Sequence, residues 1–166
     1  MKLVVRVAAT AATALTAALV AVVPPTHAST GSLVSKVHGI ELVAEHTEGT
    51  FTGYSIGALT GGWVAVVDHT RLDPNARITG GTFTLITGKN EFDRPLTGRF
   101  TGGTVTTTNP GTNCTNQTFN VVGKLTHFNG NHAGRFSVKL THYRHQLLGD
   151  CLTYFATASG TLRVTP

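Results

Sequence analysis

The chain has 166 residues, of which only 13% are charged, and a formal net charge of +5. Average proteins carry about 25% charged residues, so a charged coiled coil and a charge-driven disordered tail are excluded. All 19 Gly and 25 Thr lie after residue 28; both are poor helix formers, which excludes a helical bundle. Two Cys exclude a zinc ribbon or a multi-bridge knottin framework.

In chain order, Lys2 and Arg6 come first, followed by the uncharged 17-residue stretch Val7 to Val23, Pro24-Pro25 and Thr26-His27-Ala28. A basic start, an apolar core and small residues before a cut after Ala28 make a secretory signal peptide. As a membrane anchor the stretch is at the bottom of the spanning range, and the paired prolines break the helix where an anchor would continue. The expectation is a secreted, extracellular protein with no membrane span after signal removal. Without residues 1–28 the balance is 11 basic against 8 acidic residues, a net +3. That charge is spread singly, with no basic stripe interleaved with aromatics, so nucleic acid is not an expected partner. Cys114 and Cys151 both lie in the exported part, where an even pair predicts one disulfide.

Residues 29–37 read as a loose N-terminus, and 38–166 as one β domain. Apolar residues then recur at every second position. Phe136, Val138, Leu140 and His142 share one parity; Leu152, Tyr154, Ala156, Ala158, Leu162 and Val164 share another; Phe119, Val121 and Leu125 a third. Period two marks a strand with one buried face. Eight strands are predicted, at 38–46, 49–58, 62–70, 79–87, 97–108, 117–128, 134–144 and 151–164. Asp73-Pro74-Asn75, Asn109-Pro110-Gly111 and Asn129-Gly130-Asn131 supply turn chemistry. The glycine pairs at 61–62, 80–81 and 102–103 mark bulges or sharp bends where a sheet coils. The expected fold is all-β: an antiparallel eight-stranded up-and-down barrel, with a two-sheet β-sandwich as the alternative.

Gly111-Thr-Asn-Cys-Thr-Asn-Gln-Thr-Phe119, then Leu140-Thr-His-Tyr-Arg144, then Cys151-Leu-Thr-Tyr154 resemble a group of small exported actinobacterial β-proteins of unknown function. The resemblance covers roughly residues 38–164. It implies a bacterial source, export and a Cys114–Cys151 bridge, and no activity. A fainter likeness, in strand count and Gly-Thr texture, is to barrels of the allene oxide cyclase and dirigent type; no functional residue of those families maps onto this chain.

Histidine is the unusual feature, with seven after residue 28. By parity His46 follows Ile40, Leu42 and Ala44; His69 follows Trp63, Ala65 and Val67; His142 follows Phe136, Val138 and Leu140. Each ends an apolar face, and strands one, three and seven of an up-and-down barrel end at the same mouth. Three imidazoles suffice for a zinc site with an open position, or for a small acidic or aromatic ligand held in the mouth. The same parity puts Arg144 inward beside His142, where it needs an anionic partner, with Asp150 as a candidate. Glu41 and Glu45 fall on the face opposite Ile40 and Leu42 and are expected in solvent. Asp68 and His69, adjacent on a strand, point to opposite faces, and no nucleophile elbow exists, so a serine hydrolase is not expected.

The candidate ligand-binding residues are therefore His46, His69, His142 and Arg144; the three histidines are the metal candidates, and no cofactor is implied. Three functions follow. The first is a non-enzymatic barrel module that binds a small molecule or an extracellular surface partner through its mouth. The second is an enzyme that uses the histidine rim, a metal-dependent hydrolase or an isomerase or cyclase. The third is a structural envelope or toxin-like component.

Overall fold

Strands that bury one face and wet the other need a partner for every backbone edge, and a sheet rolled on itself supplies one. The computed structural model describes residues 31–87, 95–128 and 130–165; residues 1–28, read as the export segment, lie outside them. The strands are β1 (Leu33–Ala44), β2 (Glu48–Gly57), β3 (Gly61–His69), β4 (Asn75–Thr87), β5 (Leu96–Asn109), β6 (Gln117–Phe128), β7 (His132–Leu147) and β8 (Asp150–Thr165). Each pairs antiparallel with its neighbour in sequence, and β8 closes on β1, giving a closed up-and-down barrel. The sandwich alternative is set aside. Residues 33–37, read as a loose N-terminus, are strand: Leu33 pairs with Val164 and Val37 with Gly160.

The interior is solid. Trp63, Phe83, Phe128 and Phe136 are each at most 1% exposed. The Trp63 ring stacks on Phe83 with centroids 5.9 Å apart and meets Phe136 edge-on at 5.6 Å. Phe100 adds a further edge contact with Phe136. Small inward residues make room for these rings. A Cβ at Gly39 would lie 2.7 Å from Cζ2 of Trp63, so the indole occupies the space that a side chain on β1 would need.

Bulges reset which parity faces in. On β4, Ala76 and Ile78 are buried, and so are Phe83 and Leu85, of the opposite parity. The flip falls between Ile78 and Gly80, where the register slips against Asp68 and His69, next to Gly81 at φ 113°. On β5 the flip from Phe100 to Val105 falls at Gly102, again with a register shift. One extra residue in a strand turns every later side chain to the other face. The reversal hides the first part of β4 from a single-parity reading, and the strand begins at Asn75, paired with Thr106, rather than at 79.

At the end that holds the chain's C-terminal strand end, two buried serines tie the β2–β3 turn across the barrel. Ser35 Oγ accepts from the Leu59 N–H at 2.8 Å, and Ser55 Oγ donates to the Leu59 carbonyl at 2.6 Å. At the opposite end β7 and β8 run on as a hairpin. Cys151 on this hairpin is bonded to Cys114 in the short 3-10 turn Thr112–Cys114, with Cα atoms 5.5 Å apart.

Candidate functional site

The C-terminal ends of β1, β3, β5 and β7 surround the mouth beside that hairpin. Here the aromatic plug stops short of the rim and leaves a cavity of about 340 Å³. Val105 (β5), Phe119 (β6) and Leu140 (β7) are buried and line it, together with Leu72 from the β3–β4 loop. Its polar wall comprises Glu41, Glu45, His46, Glu48, His69, Arg71 and His142.

The centre of this wall is a pair that the parity reading did not foresee. Glu41 and His142 stand on β1 and β7, with β8 between them. The inward residue beside His142 on β8 is Ala156, and a methyl group there leaves room for two longer side chains to meet. His142 Nε2–H donates to Glu41 Oε2 at 2.6 Å, with the side chains 15% and 7% exposed respectively. Phe119 meets the imidazole edge-on at 5.1 Å. A carboxylate this little exposed is tolerable only when hydrogen-bonded, and the imidazole meets that need. With its Nε2 proton committed, a neutral His142 keeps a lone pair on Nδ1.

Glu41 is thus a correction. Ser35, Val37 and Gly39 set the inward face of β1, and Glu41 continues it, while Leu42 lies 58% exposed on the outside. The apolar Ile40–Leu42 face reads as the inner one in the sequence because Gly39, lying under Trp63, contributes no hydrophobicity to the true one. The pattern Ser35, Val37, Gly39, Glu41 carried a signal only in combination with the need for a small residue beneath the tryptophan.

The candidate residues fare differently. His142 lies on the inward face, as Phe136, Val138 and Leu140 require. His69 lines the same cavity, half-buried, with its Nδ1–H donating to the Thr70 carbonyl at 2.8 Å. His46 falls beyond the end of β1, in the turn before β2, exposed at the cavity rim rather than on a strand face. The three share a cavity but not a coordination point: among the described residues no three His, Cys, Asp or Glu side chains converge to hold a metal ion.

Arg144 is a second correction. The β6 ladder ends at Gln117 opposite His142, so Arg144 stands past the barrel rim, beside the loop that carries Cys114 rather than in the mouth. Arg144 Nη1 donates to the Gly111 carbonyl at 2.9 Å, and its backbone N–H donates to Asn116 Oδ1 at 3.2 Å. The guanidinium finds its acceptor in the loop that carries Cys114, and Asp150 stays exposed near the hairpin tip. Arg144 braces the disulfide-bonded loop and is not among the cavity-lining residues. Glu45, Glu48, Arg71 and Leu72 also lie in or beside turns, where a period-two reading has no purchase.

Fold and site together define the class: a closed eight-stranded antiparallel barrel with a packed interior and one polar-walled mouth. No protein-family model, curated protein or solved structure matches the chain.

Proposed function

We propose that this protein is an exported, disulfide-closed barrel module that binds a small molecule in its mouth. One observation carries the reading: a barrel otherwise filled by aromatic rings leaves a cavity of about 340 Å³ at one end, apolar at its floor and polar at its wall. Ligand sites are concave, mostly apolar, and carry a few placed polar groups, at volumes upward of about 300 Å³. The signal-like N-terminus and the Cys114–Cys151 bond both favour an oxidising, extracellular setting. A fragment mixture titrated into 15N-labelled protein is expected to move the amide signals of Val105, Phe119, Leu140 and His142. Ala44→Trp, at the exposed rim of the cavity, is expected to abolish those shifts. Fragments that collect elsewhere, or that ignore the rim substitution, would refute the proposal.

The Glu41–His142 pair supports a second reading, an enzyme that abstracts a proton. A carboxylate holding one imidazole nitrogen leaves the other free as a general base. An activity of this kind is to be lost in His142→Gln with ligand binding kept; a variant as active as the parent would sink it.

A further inference from the structure

The chemistry of the mouth narrows what it holds. This inference rests on the mouth being a binding site. Three carboxylates, Glu41, Glu45 and Glu48, line one cavity against a single guanidinium, Arg71. The chain as a whole has the opposite sign, with 13 Lys and Arg against 8 Asp and Glu. The excess of negative charge is therefore local to the mouth. An anionic ligand there would meet the repulsion of three carboxylates gathered on the β1–β2 hairpin, which reverses the expectation of an acidic ligand.

Glu41 sharpens the point. Its side chain is 7% exposed and sits beside the apolar floor, and its one hydrogen bond among the described residues goes through Oε2. Among those residues no buried polar side-chain atom lacks a hydrogen-bond partner; Oε1, without a partner, is therefore not sealed off, and Glu41 lines the cavity. A carboxylate oxygen with spare capacity, at the side of an apolar floor, is complementary to an N–H donor that carries positive charge. Charge-assisted hydrogen bonds of this type are about twice as strong as neutral ones. Val105, Phe119, Leu140 and Leu72 then take an apolar or aromatic body. We infer that the mouth selects a primary or secondary ammonium group on a compact apolar body, with Glu41 Oε1 as its acceptor.

Three probes of one shape and different charge test this: tryptamine, indole-3-ethanol and indole-3-acetate, titrated at pH 7 into the 15N-labelled, disulfide-bonded protein. Tryptamine is expected to bind at the mouth at least about tenfold more tightly than the alcohol, the worth of one hydrogen bond to a charged group, and the acetate most weakly. Glu41→Gln keeps the shape and an acceptor for His142. It is expected to bring tryptamine down to the affinity of the alcohol, whose own affinity does not change. Three probes that bind the mouth alike would overturn the inference and leave the binding reading standing. No shifts at the mouth with any probe would overturn both. A tryptamine preference that survives Glu41→Gln would remove Glu41 from the role. Should that variant not fold, the ranking of the three probes on the parent protein decides alone.

Discussion

Gly123 lies on the inward face of β6, between Gly103 on β5 and Phe136 on β7. A methyl group there would overlap Cε1 and Cδ1 of Phe100, a residue only 3% exposed that is wedged edge-on against Phe136. Gly123→Ala therefore has two opposed effects. Fewer conformations in the unfolded chain stabilise by about 0.4–1 kcal/mol, while forcing a filled core apart costs about 1–3 kcal/mol. The overlap is with a ring that has no free direction, so the second effect wins and a net loss of about 1–2 kcal/mol is expected. Phe100→Leu loses part of the ring packing, about 1–2 kcal/mol by comparison with the larger truncation to Ala. It also vacates the space the new methyl needs, so the double variant is expected to be about as stable as Phe100→Leu alone. The interaction energy of the cycle is then about 1–2 kcal/mol in favour of the double variant. Urea unfolding followed by fluorescence suits the measurement: Trp63 is the single tryptophan, 1% exposed, with its indole N–H donating to the Tyr54 carbonyl at 2.9 Å. Additivity within about 0.5 kcal/mol, or an alanine at 123 without cost, would refute the account of how the glycines admit the aromatic plug.

Two further outcomes follow from the hairpin end. Replacing Cys114 and Cys151 together by Ala opens a link of sequence separation 37; loop entropy sets the expected loss at up to about 4 kcal/mol, read as a lowered urea midpoint, and an unchanged midpoint would contradict it. Leu148 is 98% exposed at the tip of the β7–β8 turn with φ 53°, followed by Gly149 at φ 97°. Left-handed backbone costs a leucine about 1–2 kcal/mol and an asparagine less, so Leu148→Asn is expected to raise the midpoint by an amount worth up to about 1 kcal/mol; a lowered midpoint would mean the side chain makes a contact that its exposure does not reveal.

The barrel was legible because six of its eight strands keep one parity for most of their length. Phe136, Val138, Leu140 and His142 on β7, and Ala156, Ala158, Leu162 and Val164 on β8, face inward as expected, whereas Leu152 and Tyr154, of the same β8 parity but at or before the bulge at Tyr154, are exposed on the hairpin. Legibility failed wherever an extra residue was inserted. The glycine pairs at 80–81 and 102–103 adjoin register shifts, between Ile78 and Gly80 and between Phe100 and Gly102, whereas the pair at 61–62 lies in unbroken register; a bulge also reverses the faces beyond it, so Ala76 and Ile78 escape a single-parity reading of β4. His127, which has the parity of Leu125, takes φ 55° and turns out to solvent, and the inward place goes to Phe128. The site was half visible. His142 and His69 follow from their strands, whereas Glu41 needed knowledge of the neighbour that fills the space above Gly39, which is three-dimensional information.

The same requirement accounts for where the mouth lies. A barrel of eight strands has an interior just wide enough for side chains to fill, so a cavity appears only where inward residues are small or polar enough to leave one. Along β8 the inward residues change from Leu162 and Val164 at one end to Ala156 and Ala158 toward the other. Along β1 they change from Val37 through Gly39 to Glu41. The two strands are adjacent, and both lose apolar bulk in the same direction. In the middle of the barrel that space is occupied by an aromatic ring from β3, two strands away: Trp63 lies beside Gly53, the partner of Gly39, and covers Gly39. Near the rim no ring does so, and Glu41 and His142 meet beside Ala156 instead. An alanine on β8 and a glycine on β1, neither with any chemistry of its own, thus set the depth at which the barrel stops being a core and becomes a site. Enlarging Ala156 would therefore act on the Glu41–His142 contact before it acted on the barrel wall.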